Sequence, residues 1–269
     1  MDTRRCALRA ALPFLLLALA GLAALTLAAA PAQAADPAGV VLLHGKSGSP
    51  DRLVTGLAQA LEKAGFLVER PEMPWSRRRG FDAGYEQAMA EIDAAVARLK
   101  AAGAVRVAVA GHSLGGNAAL GYAARRRGLW AMVALAPAHT PEFNAPRLAG
   151  SLAKARDMAA AGRGGEKAEF TDVNVGKEFP VNTTPNIYLS YNDPAGPAVM
   201  PSNAAAIAAP LPVLWVVGES DRLTRPADYA FAKIPAHPAS RYLAVPADHT
   251  QVPDVAAAAV VEWLGGLPR

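Results

Sequence analysis

Short apolar, β-branched runs alternate along the chain with longer Ala-rich stretches of helical period. The runs Val40–Leu43, Phe66–Glu69, Val105–Ala110, Ala131–Ala136, Val213–Val217 and Arg241–Val245 predict six strands. The clearest helix is predicted over Asp82–Lys100, where Ile92, Val96 and Leu99 fall on one face. Ser49 and Pro50 predict a cap and first turn for an earlier helix. Strands separated by helices predict a mostly parallel sheet covered on both sides, an α/β architecture of six strands or more. One interval breaks the rhythm. Roughly seventy residues separate Ala136 from Val213, more than a crossover helix needs. Its prolines, its Gly162-Arg163-Gly164-Gly165 run and its aromatics predict a cap or lid over about 140–210, inserted before the penultimate strand.

The first 34 residues differ from the rest. Arg4, Arg5 and Arg9 precede an almost uncharged run from Ala10 to Ala30 that ends in Ala32-Gln33-Ala34. A basic, then apolar, then small-x-small order predicts a signal peptide over residues 1–34, cleaved after Ala34, and hence a periplasmic or secreted domain over 35–269. The apolar run is also long enough for the alternative of an uncleaved membrane anchor. Arg4-Arg5 leaves both the general secretory and the twin-arginine route open. Once the leader is cleaved, no stable membrane insertion is expected. The single cysteine, Cys6, lies in the leader, which excludes a cysteine nucleophile or cysteine-ligated zinc in the mature chain. The formal charge of +4 falls to about +2 without the leader, and its scatter gives no reason to expect a nucleic-acid partner. Oligomeric state leaves no signature in the sequence.

Gly111-His112-Ser113-Leu114-Gly115 directly follows the predicted strand Val105–Ala110 and opens a helix of small residues, Gly116, Ala118 and Ala119 among them. A serine in a strained strand-to-helix turn needs glycines on both flanks, because a side chain there would strike the neighbouring strand or helix. With this motif in this context the chain resembles the α/β-hydrolase superfamily over nearly its whole mature length. The likeness is closer to compact esterases and dienelactone-hydrolase-like enzymes, since too few residues precede Val40 for two further strands. The resemblance implies that Ser113 is the nucleophile. It also implies that the backbone N–H groups of Lys46, after Val40–Leu43 and His44-Gly45, and of Leu114 hold the oxyanion. The Lys46 side chain itself is expected to be exposed.

A serine hydroxyl needs a base to take its proton and a carboxylate to orient that base. The family's chain order is serine, acid, histidine. Gly218-Glu219-Ser220-Asp221, after Leu211–Val217, resembles its acid-bearing loop and implies Asp221, with Glu219 on the same turn and Asp193 in the insertion as competitors. Of five histidines, His44 belongs to the oxyanion turn and His112 to the serine turn, where structural roles are expected, His139 precedes the acid, and His237 precedes the last strand. His249, in Pro246-Ala247-Asp248-His249, remains as the base. Asp248 is expected to orient its loop. Activity should rise with pH as His249 loses its proton.

The resulting expectation is a serine hydrolase acting on a small carboxylic ester or thioester through an acyl-enzyme, with no cofactor and no metal. Trp75, His44, His112 and His139 are candidates to line the substrate pocket, with Trp75 packing its loop onto the domain as the alternative. Arg77-Arg78-Arg79 is either a carboxylate or phosphate subsite or a solvated face. Two other readings share the fold: a catalytically silent ligand-binding module, and a cofactor-free perhydrolase or haloperoxidase.

Overall fold

In the computed structural model, the described residues are 36–208 and 210–268. The predicted leader lies outside them. Among these residues, no helix is long and apolar enough to cross a membrane.

Six parallel strands form the main sheet in the order β2-β1-β3-β4-β7-β8. They are β1 (Ala38–Leu43), β2 (Leu67–Glu69), β3 (Arg106–His112), β4 (Ala131–Leu135), β7 (Val213–Gly218) and β8 (Arg241–Val245). Each falls on a predicted run, and the four central strands read as continuous apolar sequence because a parallel strand there is buried on both faces, whereas the edge strands β2 and β8 are only partly buried. The period of two then divides the core. Val41 and Leu43 of β1 pack with α2 (Tyr85–Ala101) and α3 (Leu114–Arg125) on one face. Val40 and Leu42 pack on the other with α1 (Thr55–Lys63), α8 (Val252–Val255) and α9 (Ala257–Gly265). Helix α2 buries Tyr85, Met89, Ile92 and Leu99 along the predicted face. The first helix differs from expectation: Ser49 and Pro50 lie in an irregular turn, and α1 starts at Thr55 after Val54, with no side-chain cap. A Ser-Pro start signal specifies a break in the chain, and the turn after β1 uses it to reverse direction before the helix begins.

The long interval between β4 and β7 is an insertion with a small core of its own. It contains α4 (Pro141–Asn144), α5 (Ala149–Ala160), the antiparallel hairpin of β5 (Ala168–Asn174) and β6 (Lys177–Thr183), α6 (Pro185–Asn192) and α7 (Met200–Ala206). Leu148, Leu152, Phe170 and Tyr188 fill that core, with the rings of Phe170 and Tyr188 stacked 4.6 Å apart. Tyr191 joins the insertion to the main body. Its ring makes edge contacts with Phe81, Tyr85 and Trp75 at 5.0, 5.7 and 6.3 Å.

Strand order reverses between β1 and β3, so the turns leaving their carboxyl ends stand side by side. In an open α/β sheet this is where a ligand site forms.

Candidate active site

Ser113 occupies the turn from β3 into α3 with φ 57° and ψ −119°, a conformation that is costly for a residue bearing a Cβ. Its neighbours make the turn fit. A Cβ on Gly111 would strike the backbone carbonyl of Gly115. One on Gly115 would lie 2.5 Å from the carbonyl oxygen of Leu43, at the end of β1. The two glycines therefore allow α3 to start against β3 and beside the turn after β1, as the motif predicts.

Three side chains from three loops form one hydrogen-bonded chain. His249 Nδ1–H donates to Asp221 Oδ2 at 2.8 Å, which leaves Nε2 as the acceptor facing Ser113 Oγ at 2.9 Å. All three residues are buried, so the interaction operates with little competition from water. Asp221 is fixed from behind by the Leu223 N–H, which donates to Oδ1 at 2.8 Å. The competing acids lie elsewhere: Glu219 is exposed, and Asp193 caps α6 and accepts from the Ala195 N–H. Asp248 holds the histidine loop, its Oδ1 accepting from the N–H groups of Thr250 and Gln251 at 2.8 and 3.0 Å. The Thr250 hydroxyl, donating to the same oxygen at 2.8 Å, and then these N–H bonds lower the Asp248 pKa.

The backbone N–H groups of Lys46 and Leu114 have no hydrogen-bond acceptor among the described residues, and both residues line the same cleft as Ser113. The Lys46 side chain overturns the expectation of exposure. Its ammonium is buried between the two carboxylate oxygens of Asp172 at 2.7 and 2.8 Å and the Val173 carbonyl at 2.9 Å. Asp172 belongs to strand β5, so a residue of the oxyanion turn is clamped to the insertion. Sequence offered no local signal for a pair 126 positions apart.

The four pocket candidates separate into two pairs. Trp75 and His44 are fully buried and line neither arm of the cleft. Instead they hold the turn after β1. Trp75 Nε1–H donates to the His44 carbonyl at 2.9 Å, and the Met73 N–H donates to His44 Nε2 at 3.1 Å. Of the two readings of Trp75, facing an apolar ligand or packing its loop onto the domain, these contacts are those of the second, because a large ring next to a glycine-rich turn is better buried against it than left in water. His112 and His139 do line the cleft. His112 Nε2–H donates to the His249 carbonyl at 2.8 Å and so ties the histidine loop to the serine turn. Burial, reinforced by the charge His249 can carry, pushes its pKa down to about 4. His139 has φ 73°, and its Nε2–H donates to the Tyr191 carbonyl at 2.8 Å. Burial lowers its pKa to about 3. His237 lies away from the cleft, in the turn before β8.

One residue not anticipated is Asn117, fully buried on α3. Its Nδ2 donates to the carbonyls of His139 and Ala198 at 2.9 and 2.8 Å, and its Oδ1 accepts from Tyr85 Oη at 2.8 Å. A lone amide on a helix of small apolar residues was the signal that could have marked it.

The sequence matches the alpha/beta hydrolase family over residues 40–263. No curated protein matches it significantly. Among solved structures, the monoacylglycerol lipase of Paleococcus ferrophilus is 23% identical with a TM-score of 0.64, the match covering 86% of this chain and 95% of that one. Est1E of Butyrivibrio proteoclasticus, solved with ferulic acid bound, is 19% identical with a TM-score of 0.60, covering 86% and 89%. A thermostable carboxyl esterase from Bacillus coagulans is 14% identical with a TM-score of 0.63, covering 86% and 91%. These likenesses are of fold. With the match spanning both the serine turn and the histidine loop, the chain belongs to the alpha/beta hydrolase family.

Proposed function

We propose that the protein is an exported serine hydrolase that cleaves a carboxylic ester, and that the observation carrying this reading is the unbroken chain Ser113 Oγ, His249 Nε2, His249 Nδ1–H, Asp221 Oδ2. Ser113 Oγ attacks the ester carbonyl as His249 Nε2 takes its proton. The carbonyl oxygen becomes an oxyanion held by the N–H groups of Lys46 and Leu114. Collapse of the tetrahedral intermediate breaks the bond to the alcohol, which leaves with the proton from His249 and gives an acyl-serine. Water, deprotonated by the same imidazole, then releases the acid and restores Ser113. Asp221 keeps the imidazole in the tautomer that can accept at Nε2 and stabilises the imidazolium formed after each transfer. The esterases and lipases that share the fold support an ester as substrate, and the basic-apolar-small leader supports export.

Intact-mass measurement after fluorophosphonate treatment tests the reading. One adduct is expected on the parent protein and none on Ser113→Ala or His249→Ala. Esterase activity should fall by about 10⁴-fold or more in either variant. A folded parent that takes no label would overturn the proposal in favour of a ligand-binding module.

A further inference from the structure

Ser113 stands between two arms of one cleft, cavities of about 180 and 270 Å³. Lys46, Arg52, Arg77, Arg147 and Arg225 line them, whereas among the described residues no acidic side chain does. Three of these cations are already engaged. Lys46 is paired with Asp172, Arg147 with Glu178, and the Arg225 guanidinium lies 4.1 Å from the centre of the Phe143 ring. Arg52 and Arg77 differ. Both are exposed, both line the larger arm, and among the described residues neither has a carboxylate within 4.0 Å. The rest of the arginine run is spoken for, Arg78 by Glu72 and Arg79 by Asp82 and Glu91.

The larger arm is also lined by His249 and Thr250. Because the departing oxygen must collect its proton from His249, this is the arm that receives the alcohol, while the arm lined by Leu114, Ala138 and His139 receives the acyl group. Two apolar side chains, Leu53 and Val175, line the alcohol arm and are 39% and 55% exposed. Both have left-handed backbone, φ 61° and 47°. For Val175 this is what the two-residue turn Val175-Gly176 between β5 and β6 requires, both of its residues having positive φ.

We propose that the alcohol released by this enzyme has an apolar body and an anionic oxygen group, a carboxylate or a phosphoryl group, held by Arg52 and Arg77. The inference rests on the ester-hydrolase reading above and adds the charge and the side of the substrate. Guanidinium groups match either anion with paired N–H donors, and a cleft wall free of carboxylates keeps that field unopposed.

The test compares butyrate esters of 4-hydroxybenzoate, 4-hydroxyphenylphosphonate and neutral 4-hydroxybenzamide at low and high salt. At least one anionic ester should exceed the amide by about tenfold in kcat/KM at low salt. That ratio should shrink in 0.5 M salt, which screens charges beyond about 4 Å, and approach one in Arg52→Gln/Arg77→Gln. Which anion leads identifies the group. A ratio near one in the parent, or a ratio that survives the double substitution, would overturn the proposal. The free alcohols supply a readout that needs no turnover: the anionic alcohol should slow fluorophosphonate labelling of Ser113 at concentrations where the amide does not. Labelling that neither alcohol slows, in a protein that cleaves none of the esters, would overturn the anionic alcohol while leaving Ser113 an activated nucleophile. A protein that takes no label at all would bring down the ester-hydrolase reading and this inference with it.

Discussion

At the residue scale, buried histidines carry more of the structure than of the chemistry. His112 and His139 each use Nε2–H to hold a backbone carbonyl, and each has a buried Nδ1 with no partner among the described residues. With pKa values of about 4 and 3, against 6.5 for an ordinary imidazole, both are neutral at pH 5 in the folded chain and charged in the unfolded one. The unfolded state therefore binds more protons across this interval. The stabilising contribution is complete above pH 6.5 and is lost as pH falls toward 4. The urea midpoint should decline over that window, the unfolding free energy falling by about 1.4 kcal/mol per pH unit for each histidine. A midpoint that stays flat between pH 6.5 and 4.5 would show that these imidazoles accept protons without cost. The motif residues Gly111, Ser113 and Gly115 were legible because their constraint is local. By contrast, a structural role for His44 and a packing role for Trp75 were among the readings, but the partners each holds were not legible, since a side chain in a loop is aimed by what packs on it.

At the element scale, the insertion bears on the site through β5. The Lys46–Asp172 pair joins this hairpin to the turn whose N–H is proposed to hold the oxyanion. Removing one partner of a buried ion pair leaves the other charge uncompensated, whereas replacing both with apolar groups does not. Asp172→Ala should therefore cost about 3 kcal/mol of stability and lower kcat, because the uncompensated ammonium will pull the turn toward water. Lys46→Met/Asp172→Leu should regain most of that stability. Urea unfolding of the three proteins, with kcat measured alongside, decides it: an Asp172→Ala protein as stable and active as the parent would mean that the pair holds nothing in place. That the interval between two strand-like runs holds more than a crossover helix was legible from its excess length. Its internal hairpin was not, because Ala168–Asn174 and Lys177–Thr183 mix charged and apolar residues and pair chiefly with each other.

At the scale of the whole molecule, residues 1–34 are expected to be absent from the exported protein, leaving Ala35 as its first residue. Intact mass of the protein recovered from a host's extracytoplasmic fraction tests this. A full-length chain held in the membrane fraction would instead support the anchor reading. The order of serine, acid and histidine came from the family resemblance; the sequence by itself determined the strands of the main sheet, the α2 face and the serine turn. These follow from burial on both faces of a parallel sheet, from helical period and from the backbone freedom of glycine, all of which act over a few residues. Only the tertiary structure decided that Asp221 rather than Glu219 meets His249, that Lys46 is buried against Asp172, and that among the described residues Arg52 and Arg77 lack carboxylate partners while Arg78 and Arg79 are paired. Each of those outcomes depends on which distant loop arrives within a few ångströms of a charge, and the strength of a charge interaction is set by that distance and by the exclusion of water, neither of which is written in local sequence.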